Sequence, residues 1–434
     1  YFRGVVCRRE LLRGTIEIPA NNTEHIPDAF GMPHTAFILA KDKPVGIEPG
    51  RGASVATPRL NASPAASDRP VTFSLQVDSQ GNGKWQDHAQ VEVPPDGYVA
   101  HELPFDLQAT WLRLVANRDC VATAYLHQTS SRLADGNDPA NRKMFAQLAD
   151  ADAAHALGAL VYPAKRNRNL RVITANNRLF AFTKANFAFA PAEPDPELAR
   201  LLQVEPEFSV DEASVIIKHN GRRLRLPKGD AAFDKPFASG WPRGSREVES
   251  ERHLANIHGT FYEIPLITNG RPPAWDLLRP VASHNRQITD FCSWNGLLVL
   301  AGVKADATGD QHTFVDEKHK AALWFGGVDD LWKLGKPIGR GGPWKDTAVQ
   351  AGQPSDPYLM TGYDKKRLDL SSDEDVNITI EVDFDHQTGW HPYRRVTLTA
   401  GEPLSYSFPE SFSAHWIRFT ADRDCTVSAL LSYE

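Results

Sequence analysis

The chain has 434 residues, 41% of them hydrophobic and 24% charged, a balance that excludes disorder over most of its length. A formal net charge of -6 provides no global field for nucleic acid, and four cysteines cannot form a disulfide scaffold. No apolar run approaches the ~18–20 residues of a membrane-spanning helix, and the length allows two to four domains or one large repeat array.

The opening stretch, Tyr1-Phe-Arg-Gly-Val-Val-Cys-Arg-Arg, reads as a strand with no charged and apolar leader before it. The expectation is a piece of a longer precursor, secreted or periplasmic in a bacterium, whose signal sequence is not in this chain. Residues 73–128 then align without a gap on residues 378–433, at an offset of 305, with 14 of 56 positions identical. Val77-Asp78 falls on Val382-Asp383, Trp85 on Trp390, and Trp111-Leu-Arg113 on Trp416-Ile-Arg418. Asn117-Arg-Asp-Cys120 falls on Asp422-Arg-Asp-Cys425, so the two cysteines read as equivalent packed thiols rather than disulfide partners. Each unit is β by pattern. Phe73, Leu75 and Val77 alternate with polar residues, as do Ile378, Ile380 and Val382, and Gly- or Asn-rich turns follow.

Between the units, an Ala-rich stretch over 141–157 and a shorter one over 194–202 read as helices, the second with Pro at its start. The runs 170–174, 179–182, 214–218 and 297–300 read as strands. Residues 228–252 lack periodicity and read as a long loop, a place where function often lies. Thirty glycines and 31 prolines punctuate the strands. The pattern predicts an all-β fold, a β-propeller of about seven blades with duplicated blade-like or sandwich-like units. A propeller core carrying two sandwich modules is the alternative. The expected domains are 1–130, holding the first unit; 131–374, holding central blades and the site; and 375–434, the second unit closing the array.

Half of the ten tryptophans fall between Asn256 and Tyr363, among polar residues. Indole faces stack on sugar C–H surfaces while carboxylates, Arg and Asn bond hydroxyls, so this region is the predicted carbohydrate site. Its binding candidates are Asn285, Asp290, Trp294, Trp324, Asp329, Trp344 and Tyr358. His258 and Tyr262 stand four apart on an expected strand, hence on one face, and suit proton abstraction and delivery. His284 or Arg286 would neutralise a uronate carboxylate, giving the groups for β-elimination. Paired carboxylates drawn from Asp290, Asp329, Asp346 and Asp356 would instead give hydrolysis. The Arg222-Arg223 and Arg225 group reads as a solvated turn or as a contact for acidic polysaccharide. No sialidase Asp box, Walker A, Gly-x-Ser-x-Gly or His-Glu-x-x-His motif occurs, and the cysteines lack zinc spacing.

The stretch from His258 to Tyr363 and the closing unit, about the last 200 residues, resemble secreted bacterial β-propeller carbohydrate-active enzymes such as rhamnose–glucuronate lyases and rhamnosidases. The resemblance implies a catalytic His in the propeller pocket with Tyr and Arg assisting, roles open here to His258, His284, Tyr262 and Arg286. The expected function is cleavage of an acidic plant or algal polysaccharide or its oligosaccharides, by β-elimination or hydrolysis. The alternative is a non-catalytic glycan-binding or scaffold protein. The expected partner is an oligo- or polysaccharide, with no nucleic acid and no membrane span. No cofactor is expected, though the fold is compatible with a structural Ca2+.

Overall fold

The computed structural model describes residues 2–12, 15–19, 45–46, 70–93, 99–101, 103, 109, 111–117, 120–128, 139–164, 169–249, 252–265, 274–383, 389–409, 412 and 414–434. The described chain is mostly strand, as the alternating patterns predict. No sheet among the described residues closes on itself, and no helix is long and apolar enough to cross a membrane.

The two aligned units fold with the same pairings. In the first, strand Val71–Asp78 lies between Gln86–Val93 and Trp111–Ala116; in the second, Val376–Asp383 lies between His391–Leu398 and Trp416–Ala421. Phe73 pairs with Ala116 and Asp78 with Trp111; 305 residues on, Ile378 pairs with Ala421 and Asp383 with Trp416. A register irregularity falls between Leu75 and Gln76 and again between Ile380 and Glu381. A bulge increases local twist and re-aims the side chains beside it. Gln76 and Glu381 both accept from the Nε of the Arg opposite, Arg113 (2.6 Å) or Arg418 (2.8 Å). Each guanidinium also covers an indole, Arg113 on Trp85 and Arg418 on Trp390, at 4.2 and 4.4 Å from the ring centre.

The second unit extends beyond its expected start. Strands Gly339–Val349 and Lys366–Ser372 flank Cys425–Tyr433 in one sheet, so the expected boundary at 375 cuts through it. Buried residues of this sheet, Leu368, Leu370, Val427 and Leu431, share a core with Ile378, Ile380, Ile417 and Phe419 of the sheet opposite. That is a β-sandwich, as the alternation of inward apolar residues on both sheets requires. Its second sheet is lengthened by the hairpin Val215–His219 and Arg222–Leu226, which joins in parallel at Arg225 and Tyr358.

Three four-stranded antiparallel sheets occupy residues 159–192, 245–283 and 291–326. Their first strands, Ala159–Pro163, Ser245–Glu249 and Phe291–Trp294, meet at Asp290. Asp290 is fully buried; its Oδ2 accepts from the Val161 amide (2.9 Å) and its Oδ1 from Phe291 N (2.8 Å) and Arg243 Nε (2.6 Å), with Arg246 Nη1 at 3.2 Å. One carboxylate thus ties three sheets together.

Two local expectations are corrected. The helix expected over 141–157 is only Pro139–Met144, because the following segment bonds to the 285–304 region: Ala149 N and Ala151 N donate to Gly302 O and Asn285 O. The loop expected over 228–252 holds strand Ser245–Glu249, whose Val248 packs into the core beside Leu254 and Phe261. The second helix, Pro196–Leu202, is present, capped by the Asp195 carboxylate accepting from Leu198 N.

Candidate functional site

The sequence places His258 and Tyr262 on one strand face, and the structure corrects this. His258 and Gly259 form the two-residue turn between Arg252–Ile257 and Thr260–Ile264, both with positive φ (50° and 77°). Such a turn matches the twist of its strands, and glycine at the second position is required here. A Cβ on Gly259 would lie 2.5 Å from the Phe233 ring. His258 therefore points to the segment 229–234 while Tyr262 points into the sandwich core.

The two groups have different surroundings. His258 Nδ1 accepts from the Gly229 amide (3.0 Å), which leaves Nε2 to donate to Asp234 Oδ1 (3.0 Å), itself paired with Lys228. Burial holds the imidazole below its ordinary pKa despite the opposing pull of Asp234. Tyr262 is fully buried, its phenol pushed up to about 12 by desolvation. His284 uses both nitrogens too: Nδ1 accepts from Arg286 N (3.1 Å) and Nε2 faces Asn256 Oδ1 (3.0 Å). Desolvation, with Arg286 beside it, lowers it to about 3, so it is neutral across the physiological range.

The remaining predicted residues are dispersed. Arg286 donates to Leu148 O (3.2 Å) and to Asp150, clamping the segment after the first helix. Asn285 and Asp329 are exposed. Trp294 packs edge-on to Phe182 in one core, and Trp324 stacks on Phe145 in another while its Nε1 donates to Met144 O. Tyr358 is buried in the sandwich core. These aromatics fill the spaces between sheets, which needs the same residue types as a sugar platform.

Trp344 does reach a cleft. A cleft of about 470 Å³ is lined by Asp211, Glu212, Arg223, Arg225, Trp344, Lys345, Ser355 and Asp356, with Ala213, Pro343, Thr347 and Pro354. It lies where the added hairpin meets the sandwich sheet. Arg225 is its pivot, held at 9% side-chain exposure. Its Nε donates to Asp356 Oδ2 (2.8 Å), and its Nη1 to Asp211 Oδ2 (2.7 Å) and to Ser214 Oγ (2.8 Å). Burial alone would raise the Asp211 carboxyl. The Ser214 amide, Arg225 and the Ala213 amide outweigh that and hold it below the usual carboxylate value. Trp344 packs on Phe419, 6.1 Å between centres, at the cleft's inner side. Sequence reasoning named Trp344, Asp356 and the Arg222–Arg225 run separately. It missed Asp211, which is brought in by a turn capped on Ala213 N and Ser214 N.

Among the described residues, no three His, Cys, Asp or Glu side chains come together as metal ligands.

No protein-family model matches the chain, and no curated protein sequence matches it. The chain matches several solved structures only weakly, two of them glycoside hydrolases. One is a glycoside hydrolase family 43 arabinoxylan arabinofuranohydrolase from Bacillus subtilis in complex with cellotetraose: 10% identity, 70% of this chain, 97% of that chain, TM-score 0.16. The other is a glycoside hydrolase family 32 structure from Bifidobacterium adolescentis: 9% identity, 84% of this chain, 95% of that chain, TM-score 0.14. Similarity at these TM-scores supports no inference about fold or chemistry.

Proposed function

We propose that the chain is a carbohydrate-binding protein that takes an oligosaccharide in the cleft around Arg225. The observation that carries this reading is the composition of that one cleft, where an indole, a fixed guanidinium and three carboxylates converge. That set offers an apolar wall and directional partners for hydroxyls. Binding is preferred over bond cleavage because the two candidate histidines and the two cleft aspartates are already engaged. Both ring nitrogens of His258 and of His284 have partners, and both cleft aspartates are bonded to Arg225.

Hydrolysis is the second reading, favoured by two carboxylates on one guanidinium at a single cleft. The same proposal treats the three four-stranded sheets as blades of a β-propeller, since their first strands converge on Asp290, and places the protein outside the cytoplasm, where polysaccharides are met.

A panel of plant and algal oligosaccharides separates the readings. Calorimetry should show binding that Trp344→Ala and Arg225→Met abolish. Mass analysis of the same mixtures should show intact ligand. Shortened products would establish hydrolysis instead, and shortened products with ultraviolet absorbance from a new conjugated double bond would establish elimination. A panel with no binding at all would refute the carbohydrate reading.

A further inference from the structure

The hairpin that borders the cleft carries a charge arrangement that its own fold does not explain. Strands Val215–His219 and Arg222–Leu226 pair so that Lys218 stands directly opposite Arg223, and Ile216 opposite Arg225. Side chains alternate along a strand, so Lys218, Arg223 and Arg225 share the face that Arg225 turns to the cleft. The other face carries Val215, Ile217, Leu224 and Leu226 into the core. Directly opposed like charges destabilise a strand pair, and a hairpin free to choose would place a carboxylate at one of the two positions.

The nearest carboxylate is shared between two cations. Asp356 Oδ2 meets Arg223 Nε at 3.2 Å but already accepts from Arg225 Nε at 2.8 Å. Arg223 is 47% exposed, and its two terminal nitrogens meet no acceptor among the described residues. Lys218 is exposed and has no carboxylate partner among the described residues. Lys345, also at the cleft, reaches Glu212 only at 4.0 Å. Arg225 differs, since its three acceptors fix it as part of the wall. Arg223 on the cleft wall and Lys218, its cross-strand neighbour on the same face, therefore stand side by side with donors to spare.

We propose that Arg223 and Lys218 form a subsite for an anionic group on the glycan, a uronate carboxylate or a sulfate ester, placed at the hairpin end of the cleft. This rests on the carbohydrate reading of that cleft and adds the ligand's charge and its orientation. Arg223 presents a planar pair of donors that a carboxylate or sulfate can accept bidentately, and Lys218 adds a point charge. Bound anion would also relieve the Lys218–Arg223 opposition, so binding should stabilise the hairpin.

The test uses the full chain and three probes of equal length: an oligogalacturonate, its methyl ester, and a sulfated galactan oligosaccharide. Calorimetry at low and at moderate salt is the readout. The acid should bind roughly tenfold or more tighter than its ester, as expected of a charge-assisted pair in place of a neutral one. Arg223→Gln and Lys218→Gln should each weaken binding of the acid by a larger factor than binding of the ester, so that the ratio collapses towards one. Tighter binding of the sulfated probe, lost in the same variants, would assign the subsite to sulfate esters. As a check independent of ligand, Lys218→Gln should raise the melting temperature of the free protein. Equal affinity for acid and ester, or a ratio that survives both variants, would overturn the subsite while leaving the carbohydrate reading in place. No binding of acid, ester or sulfated probe would overturn both.

Discussion

Replacing Asp290 by alanine distinguishes a structural hub from a ligand-binding carboxylate. The change removes the acceptor for two buried amides, Val161 N and Phe291 N, and leaves Arg243 and Arg246, at 16% and 17% side-chain exposure, facing each other without a counter-charge. Breaking a buried pair by removing one partner costs about 3–5 kcal/mol, and an orphaned buried amide about 1–3 kcal/mol. These effects overlap because all four bonds end on one carboxylate, so the expected loss is about 4 kcal/mol. With a urea slope of about 2 kcal/mol per molar, the unfolding midpoint of the three-sheet region should fall by about 2 M. Asp290→Asn keeps the shape but presents an NH2 to donors, and should lose roughly half as much. Equilibrium urea unfolding followed by tryptophan fluorescence gives the midpoint. Amide hydrogen exchange at Val161 and Phe291 locates the loss. A drop below about 1 kcal/mol, with exchange at both amides unchanged, would refute the hub. Weakened ligand binding at unchanged stability would return Asp290 to the role its sequence context suggested.

Other consequences are equally direct. Lys366 is buried, its Nζ donating to Tyr363 O and Phe412 O, and desolvation lowers it to about 8 from 10.5. The folded state then binds fewer protons than the unfolded one between those values, so this group adds stability as pH rises from about 8 to 10.5, by up to ~3 kcal/mol. The difference between wild type and Lys366→Met in unfolding free energy should show that rise, and parallel pH profiles would contradict it. His284, lowered to about 3, acts in the same sense at lower pH: its contribution is full above about 6.5 and is lost as pH falls towards 3. His284→Gln should flatten that part of an acid-unfolding profile. Arg418 bonds both oxygens of Glu381, while Arg113 bonds the neutral Gln76. Arg418→Ala removes a two-point, charge-assisted contact and should lower stability by about 1–2 kcal/mol in thermal unfolding.

The strands were legible wherever one face is buried and the other wet. The 376–383 stretch alternates buried and half-buried residues over most of its length, as its sequence does. The site was less legible. A cluster of tryptophans marks apolar contact, and sequence does not say whether the contact is a sugar or a neighbouring sheet; Trp294 and Trp324 met sheets. His258 was misplaced for a local reason. A His-Gly pair between two alternating runs is a hairpin turn, like the Asn220-Gly221 and Asn295-Gly296 turns, all with positive φ. The Asp211–Arg225–Asp356 assembly spans 145 positions from first to last and depends on a parallel junction at Arg225 and Tyr358, which no local pattern announces.

The shared register of the two units has a consequence for how the chain is made. Strand Val71–Asp78 and strand Val376–Asp383 offer the same pattern of bonds, with the irregularity at the same place, so each is a usable template for the other's neighbours. Exchange of equivalent strands between related modules of one chain is a recognised failure of tandem folds. Order of synthesis works against it here. At about 5–20 residues per second, an offset of 305 residues delays the second unit by roughly 15–60 s, longer than a small β domain takes to fold. The first unit therefore has time to fold before its competitor leaves the ribosome. Refolding from denaturant removes that head start, and should yield strand-exchanged aggregates that synthesis on the ribosome avoids.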